Sequence, residues 1–167
     1  MIRPVVYGVV IAGTALIQSA WLARVPLWGA VIDPLVPLTV AIGIFRGAEG
    51  GALVGLAAGW VQDLLSGAAL GVNVLSKLVV GFAAGLFEQS IYAEDPFLPA
   101  VTTFVATLLG ELVLVGVLVV TGLAPVSWPR TPQTVLVQAM LNSVIAPPIF
   151  RGVRAIERQI QKRELGS

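Results

Sequence analysis

The 167-residue chain contains no cysteine and no histidine, and only 11% of its residues are charged. Without thiols and imidazoles it has no disulfides, no thiolate or imidazole metal ligands, and none of the most common general base. Because soluble domains carry about 25% charged residues, this low charge and the mean hydropathy of +0.93 predict a membrane protein. No nucleophile–base pair or phosphate-binding pattern is present. We therefore predict a protein that is not an enzyme, uses no metal or cofactor and binds no nucleic acid.

Six apolar stretches are separated by prolines, charged residues or polar turns. They predict an all-α fold of about six transmembrane helices, since a span needs ~20 predominantly apolar residues. We expect the spans at about 4–23, 33–45, 47–65, 72–89, 97–121 and 132–150, with a tight turn marked by Arg46 and Glu49. Residues 1–150 then form one transmembrane domain, and residues 151–167 form a basic amphipathic tail.

The positions of lysine and arginine predict the orientation, because cytoplasmic loops are enriched in both. With six spans, one side collects Arg3, Arg46, Arg151, Arg154, Arg158, Lys162 and Arg163. The other side collects only Arg24 and Arg130, and Lys77 falls within a span. We therefore expect a multi-pass protein with both termini in the cytoplasm.

A line of glycines follows the third predicted span. Gly47, Gly51, Gly55 and Gly59 recur every four residues, and Gly81 and Gly85 repeat the spacing in the fourth span. Such a small-residue face allows close approach of another helix in lipid. Two interpretations stay open: packing between helices of this chain, or a groove for the transmembrane helix of a partner.

Charged residues flank the connection between the third and fourth spans. Asp63 precedes it and Lys77 follows it at a similar depth, so we expect either a salt bridge between them or a polar site open to the outer leaflet or to a partner. Asn73 is predicted to cap the start of the fourth helix.

Two further polar residues lie within the fifth and sixth predicted spans. Glu111 and Asn142 are each about ten residues, or ~15 Å, from the outer ends of their helices. We expect either a hydrogen bond between them or a contact with another subunit, because a carboxylate at this depth needs a partner.

The C-terminal tail places four apolar residues at helical spacing, namely Ile149, Val153, Ile156 and Ile160. Five basic residues are interleaved: Arg151, Arg154, Arg158, Lys162 and Arg163. This pattern predicts a helix on the cytoplasmic membrane surface, attracted to anionic lipid. Docking of a cytoplasmic partner is the alternative.

The segment from Arg46 to Gly85 resembles the signature region of the rod shape-determining protein MreD family. A charged turn, a glycine-rich span ending in Asp63, a small-residue loop with Leu70, Gly71 and Asn73, and a second glycine-containing span follow in the order typical of that family. Chain length, six spans and a short basic tail also fit. Lys77 departs from the apolar or aromatic residue expected there.

The resemblance implies a non-catalytic scaffold in the bacterial inner membrane. Such a protein belongs to the cell-elongation machinery, binds the transmembrane helix of MreC, and helps position peptidoglycan synthesis. The resemblance also implies links to MreB, a RodA-type glycosyltransferase and a class B penicillin-binding protein. The family's architecture is similar to the S-component fold of energy-coupling-factor transporters, so the alternative function is a small-molecule-binding subunit of a vitamin transporter.

Overall fold

The computed structural model describes residues 2–67, 69–87, 97–123 and 131–165, without the side chains of residues 2 and 163–165. Five α-helices make up most of these residues: α1 (Ile2–Ala20), α2 (Leu35–Ser66), α3 (Val72–Gly85), α4 (Leu98–Val120) and α5 (Pro132–Leu165). A single 3-10 turn, Leu22–Arg24, follows α1. Within the described ranges there is no β-strand, so the all-α prediction is confirmed there.

Helix α2 reverses direction at Gly47. This residue has φ 78° and ψ 178°, a backbone conformation that glycine adopts without steric cost. A Cβ built on Gly51 would lie 2.8 Å from the Cα of Gly43, whereas eight residues of continuous helix would separate the two by about 12 Å. At the far ends, Gln62 Nε2 donates to Asp33 Oδ2 at 3.1 Å. Helix α2 is therefore a hairpin with a first arm, residues 35–46, and a second arm, residues 48–66.

The first arm of α2 is the centre of the molecule. All residues from Leu35 to Ile44 are buried, and the only polar side chain among them is that of Thr39. A helix that is apolar all round is stable only where other elements surround it. The same core includes Tyr7 and Ile11 of α1 and Phe150 of α5, so the first arm anchors the other helices.

Helix α3 packs against the glycine face of the second arm in close backbone contact. A Cβ on Gly55 would lie 2.0 Å from the carbonyl oxygen of Lys77, and a Cβ on Gly51 would lie 2.0 Å from that of Gly81. Gly59 meets the backbone of Asn73 and Val74, and Gly85 meets that of Gly47 and Ala48. The interpretation as a groove for a partner helix is therefore wrong for this face. These glycines join helices of the same chain.

Four helical segments are long and apolar enough to cross a membrane: Arg3–Arg24, Leu35–Ser66, Leu98–Val120 and Pro132–Lys162. Helix α3 is apolar but has only 14 residues. The predicted count of six spans is not confirmed: by length and composition α2 counts as one candidate segment, although it folds into two arms at the positions of the spans expected at 33–45 and 47–65. The turn expected between them does lie where the structure reverses.

The connections place groups of residues at two ends of the bundle. Near Asp33 lie the 25–34 connection, the α2–α3 connection and the first turns of α5, and we term this the Asp33 end. Near Glu157 lie the first turns of α1 and the reversal of α2, and we term this the Glu157 end. Residues 88–96, after α3, and residues 124–130, after α4, lie outside the described residues.

The predicted tail is a continuation of α5 that packs on the bundle. Val153 and Ile160 are buried, and the Glu157 carboxylate accepts a hydrogen bond from the Tyr7 hydroxyl. Arg46 Nε lies 3.9 Å from Glu157 Oε1, and the Arg154 guanidinium lies 5.8 Å from the centre of the Phe45 ring. Arg151, Arg158 and Lys162 are exposed, while the Arg163 side chain lies outside the described residues. The helix thus continues without a break across the predicted boundary at residue 150.

We expect Glu157→Gln to loosen the end of α5. The variant removes the charge that attracts Arg46 and weakens the hydrogen bond from Tyr7, so the last turns fray more often. Limited trypsin digestion in detergent should cut at Arg158 and Lys162 several times faster than in the wild type. Gln161→Ala, an exposed change on the same helix, is the control and should leave the rate unchanged. Equal cleavage rates for both variants would show that Glu157 does not hold the helix.

Candidate functional site

Asp33 joins four segments of the chain at one point. Its backbone N–H donates to Asn142 Oδ1 of α5 at 2.9 Å, and its Oδ1 accepts from the N–H of Leu35 at 3.0 Å. Its Oδ2 accepts from Gln62 of the second arm and from Lys77 of α3. A buried carboxylate with this many donors holds all four segments in register.

The ion pair of Lys77 and Asp33 is buried. Lys77 Nζ lies 2.8 Å from Asp33 Oδ2, and the side chains are 3% and 9% exposed. The predicted salt bridge between Lys77 and Asp63 is therefore wrong. The backbone of Lys77 abuts Gly55, and from there its side chain reaches across to the start of the first arm. A similar depth along two helices does not determine the direction of a side chain around the helix axis.

Asp63 instead caps the N-terminus of α3. Its carboxylate accepts from the backbone N–H groups of Gly71 at 2.8 Å, Asn73 at 3.2 Å and Val74 at 3.4 Å. The Asn73 side chain also donates to it at 2.7 Å. The first N–H groups of a helix lack partners within the helix and carry partial positive charge, so a buried anion is favoured there. Asn73 was predicted to be the cap itself, but it is a donor to the residue that caps.

The spacing of the sequence explains this arrangement. Asp63 follows Gly59 by four residues and so continues the line of the face that packs on α3. The α2–α3 connection is short, and Gly71 with φ 102° turns the chain so that its N–H points back toward α2. Asp63, Gly71 and Asn73 thus act as a structural unit that closes the hairpin between the second arm and α3.

We expect Asp63→Ala to destabilise the protein by about 3 kcal/mol, since buried donors left without partners cost about 1–3 kcal/mol each. The midpoint of thermal unfolding in detergent measures this loss. Glu49→Ala, which removes an exposed acid from the same arm, is the matched control and should shift the midpoint little. If both variants unfold at the same temperature, Asp63 does not cap α3.

Asn142 and Glu111 are not bonded to each other, which corrects the predicted hydrogen bond between them. The Asn142 amide accepts from Asp33 N and donates to Thr107 Oγ1 at 3.3 Å, and it is fully buried. Glu111 is 7% exposed and lies one helical turn beyond Thr107 on α4. Ser76 of α3 donates to the carbonyl oxygen of Gly110 at 2.7 Å, which fixes α3 against α4 at the same level.

These residues surround a cavity of about 390 Å³ at the Asp33 end. Residues of all five helices line it, including Val36 at the start of the first arm, together with residues 29–31 of the connection after α1. Polar side chains lining it include Gln18, Gln62, Asn73, Lys77, Glu111 and Gln138. The described residues contain no group of three or more His, Cys, Asp or Glu side chains placed to hold a metal ion.

Sequence reasoning missed the role of Asp33. It stands before Pro34 at the start of an apolar run, where an acid is usually a solvated helix-start residue. One available signal was Lys77: a lysine within a span needs a counter-ion, and Asp33 and Asp63 were the two candidate acids near that level. The choice between them depends on the packing of the first arm, which composition does not encode.

Comparison with known proteins identifies a family for this chain. No curated protein and no solved structure matches the chain, so its similarity to the S-component fold is not confirmed. A family model described as rod shape-determining protein MreD matches residues 4–156, which is nearly the whole chain. The match includes the reversal at Gly47, the Asp63 cap and the Asp33 junction. The chain belongs to the rod shape-determining protein MreD family.

Proposed function

We propose that this protein is a non-catalytic scaffold of the rod-shape machinery in the bacterial inner membrane, which binds MreC and helps position peptidoglycan synthesis. The observation that carries the proposal is the family match over residues 4–156. It favours the scaffold over the vitamin-transporter subunit, because the family is described by its role in cell shape. A RodA-type glycosyltransferase, a class B penicillin-binding protein and MreB are further proposed partners.

The packing limits where the MreC helix can bind. The glycine face of the second arm is filled by α3, so it offers no room for a foreign helix. Large apolar side chains remain exposed on the outer faces of the other helices, where lipid or a partner helix covers them. One such residue per helix is Val9 on α1, Leu53 on the second arm, Leu112 on α4 and Val144 on α5.

The proposed orientation places the Glu157 end in the cytoplasm. Arg3, Arg46, Arg151, Arg158 and Lys162 lie at or beyond that end, whereas Arg24 lies at the other. This asymmetry agrees with the enrichment of basic residues in cytoplasmic segments. The exposed basic residues of α5 then lie where anionic lipid or a cytoplasmic partner meets the helix.

Site-specific photo-crosslinking tests the binding of MreC. A photoreactive residue is placed in turn at each of the four exposed positions, and MreC is detected on immunoblots after irradiation of intact cells. We expect a crosslink to the MreC transmembrane segment from one helix face and none from the opposite face. An unrelated single-span protein expressed at the level of MreC is the control. If all four positions crosslink only to lipid, the protein does not bind MreC through its membrane helices.

A further inference from the structure

Two buried oxygen atoms in the wall of the cavity at the Asp33 end lack hydrogen-bond partners in the described part of the chain. They are the amide oxygens of Gln18 on α1 and Gln62 on the second arm. Gln18 is only 8% exposed, so bulk water does not reach most of it. The amide nitrogen of Gln62 donates a hydrogen bond to Asp33 Oδ2, while the amide oxygen of Gln62 accepts none. Both residues therefore present acceptors without donors.

Unpaired acceptors are unfavourable at this depth. A buried carbonyl without a donor loses its hydration and gains nothing in return, and the cost is greater in a membrane protein, where lipid supplies no donors. Other polar groups of the lining have partners: Lys77 Nζ is paired with Asp33 Oδ2, and the Asn73 amide donates to Asp63. Among the described residues that line the cavity, the buried side-chain atoms without a hydrogen-bond partner are these two amide oxygens.

The size and position of the cavity fit a ligand. Its volume of about 390 Å³ lies in the range of small-molecule sites. A second cavity of about 260 Å³ shares Gln18, Gln62 and Ser66 and extends between α1 and the second arm. Trp21 and Trp28 flank this end and are 77% and 82% exposed. Because exposed tryptophans mark the headgroup level of a bilayer, the Asp33 end with its cavity is placed at that level.

Part of the 25–34 connection lines one side of the cavity. Leu27 and Ala30 exchange two backbone hydrogen bonds, 2.8 Å and 2.9 Å long, around a tight turn at Trp28 and Gly29. Trp28 has φ 49° and Gly29 has φ 79°. Both lie in the left-handed region, which glycine at position 29 adopts more readily than a residue with a side chain. A Cβ on Gly29 would lie 3.4 Å from Thr134 Cγ2, so the turn lies close to α5, and both Gly29 and Thr134 line the cavity.

We propose that this cavity binds an uncharged, hydroxyl-rich group, either a free sugar or polyol or the equivalent headgroup of a lipid, whose O–H groups donate to the amide oxygens of Gln18 and Gln62. An uncharged group fits because both unpaired atoms of the wall are neutral amide oxygens and the Lys77–Asp33 ion pair is neutralised within the chain. Hydroxyls fit because each supplies a donor for these oxygens and also accepts from neighbouring amide and hydroxyl groups.

The test distinguishes a free sugar from the sugar headgroup of a lipid as the bound molecule. The full-length protein is placed in nanodiscs of phosphatidylcholine, whose headgroup has no O–H or N–H donor. One arm adds free glucose, and the other includes glucosyl diacylglycerol in the nanodisc. Native mass spectrometry counts the molecules retained per chain. We expect one molecule to be retained in one arm, which identifies the source, and a thermal unfolding midpoint several degrees higher than without it.

Variants separate binding from folding. Gln18→Leu removes one acceptor and should reduce retention at least tenfold, while the protein without ligand stays at least as stable as the wild type. Ala23→Phe, which fills the cavity from its wall without removing a partner, should also reduce retention. Gln133→Leu makes the same chemical change at an exposed position outside the cavity and should bind normally. No retention in either arm, or full retention by both cavity variants, would overturn the proposal.

Discussion

Gly55→Ala should prevent the protein from folding stably. The added Cβ would lie 2.0 Å from the Lys77 carbonyl oxygen and 2.6 Å from its carbon, and both are backbone atoms that cannot move without separating α3 from the second arm. Overpacking of a well-packed site costs about 1–3 kcal/mol or more, and here the obstruction is rigid, so we expect at least about 3 kcal/mol. Size-exclusion chromatography of a fluorescent fusion in detergent measures the loss of the folded peak.

Glycines on α1 supply the matched control. A Cβ on Gly8 or Gly13 would meet nothing within 4 Å, and alanine is favoured over glycine in a helix by about 1 kcal/mol. Gly8→Ala and Gly13→Ala should therefore leave the folded peak unchanged or slightly more heat-resistant. If Gly55→Ala behaves in the same way as these two, the second arm and α3 do not pack as described.

Lys77→Met should destabilise the protein by about 3–5 kcal/mol, the usual loss when one member of a buried ion pair is removed. The variant leaves the Asp33 carboxylate buried with neutral donors only, from Gln62 and Leu35. The midpoint of thermal unfolding measures the effect. A second change, Asp33→Asn, removes the unpaired charge and keeps an oxygen for the Leu35 N–H. The double variant should therefore be more stable than Lys77→Met alone.

This rescue also distinguishes the two candidate partners of Lys77. If Lys77 paired with Asp63, Asp63→Asn would rescue Lys77→Met and Asp33→Asn would not. The structure predicts the reverse, because Asp63 is bonded to the N-terminus of α3. Adding Asp63→Asn to Lys77→Met should lower the unfolding midpoint further.

Some of the architecture could be predicted from the sequence for clear physical reasons. Apolar length and low charge indicate membrane helices regardless of tertiary contacts. The glycines at four-residue spacing predict close helix packing, and the structure shows that the packing is between the second arm and α3. The turn between Arg46 and Glu49 was identified from its charges, and Gly47 supplies the backbone conformation that it needs.

Other features depend on the rotation of one helix relative to another. Asp33 and Asp63 both lie near the level of Lys77, and only the packing of the first arm determines which of them the lysine reaches. Asn142 likewise lies at the depth expected for contact with Glu111, but it faces the start of the first arm. These contacts join residues that are distant in sequence, and the periodicity within a single helix does not predict them.

The Asp33 junction has a consequence for the biogenesis of the protein. Its contacts are added in the order of synthesis: Leu35 first, then Gln62, then Lys77, and finally Asn142, which emerges more than one hundred residues after Asp33. Until Asn142 has left the ribosome, the N–H of Asp33 lacks its acceptor, and α5 cannot yet pack against the short first arm. Packing of the Asp33 contacts is therefore completed only after translation of α5, and a ribosome-stalled chain ending before residue 142 should remain more accessible to proteases than the full-length chain.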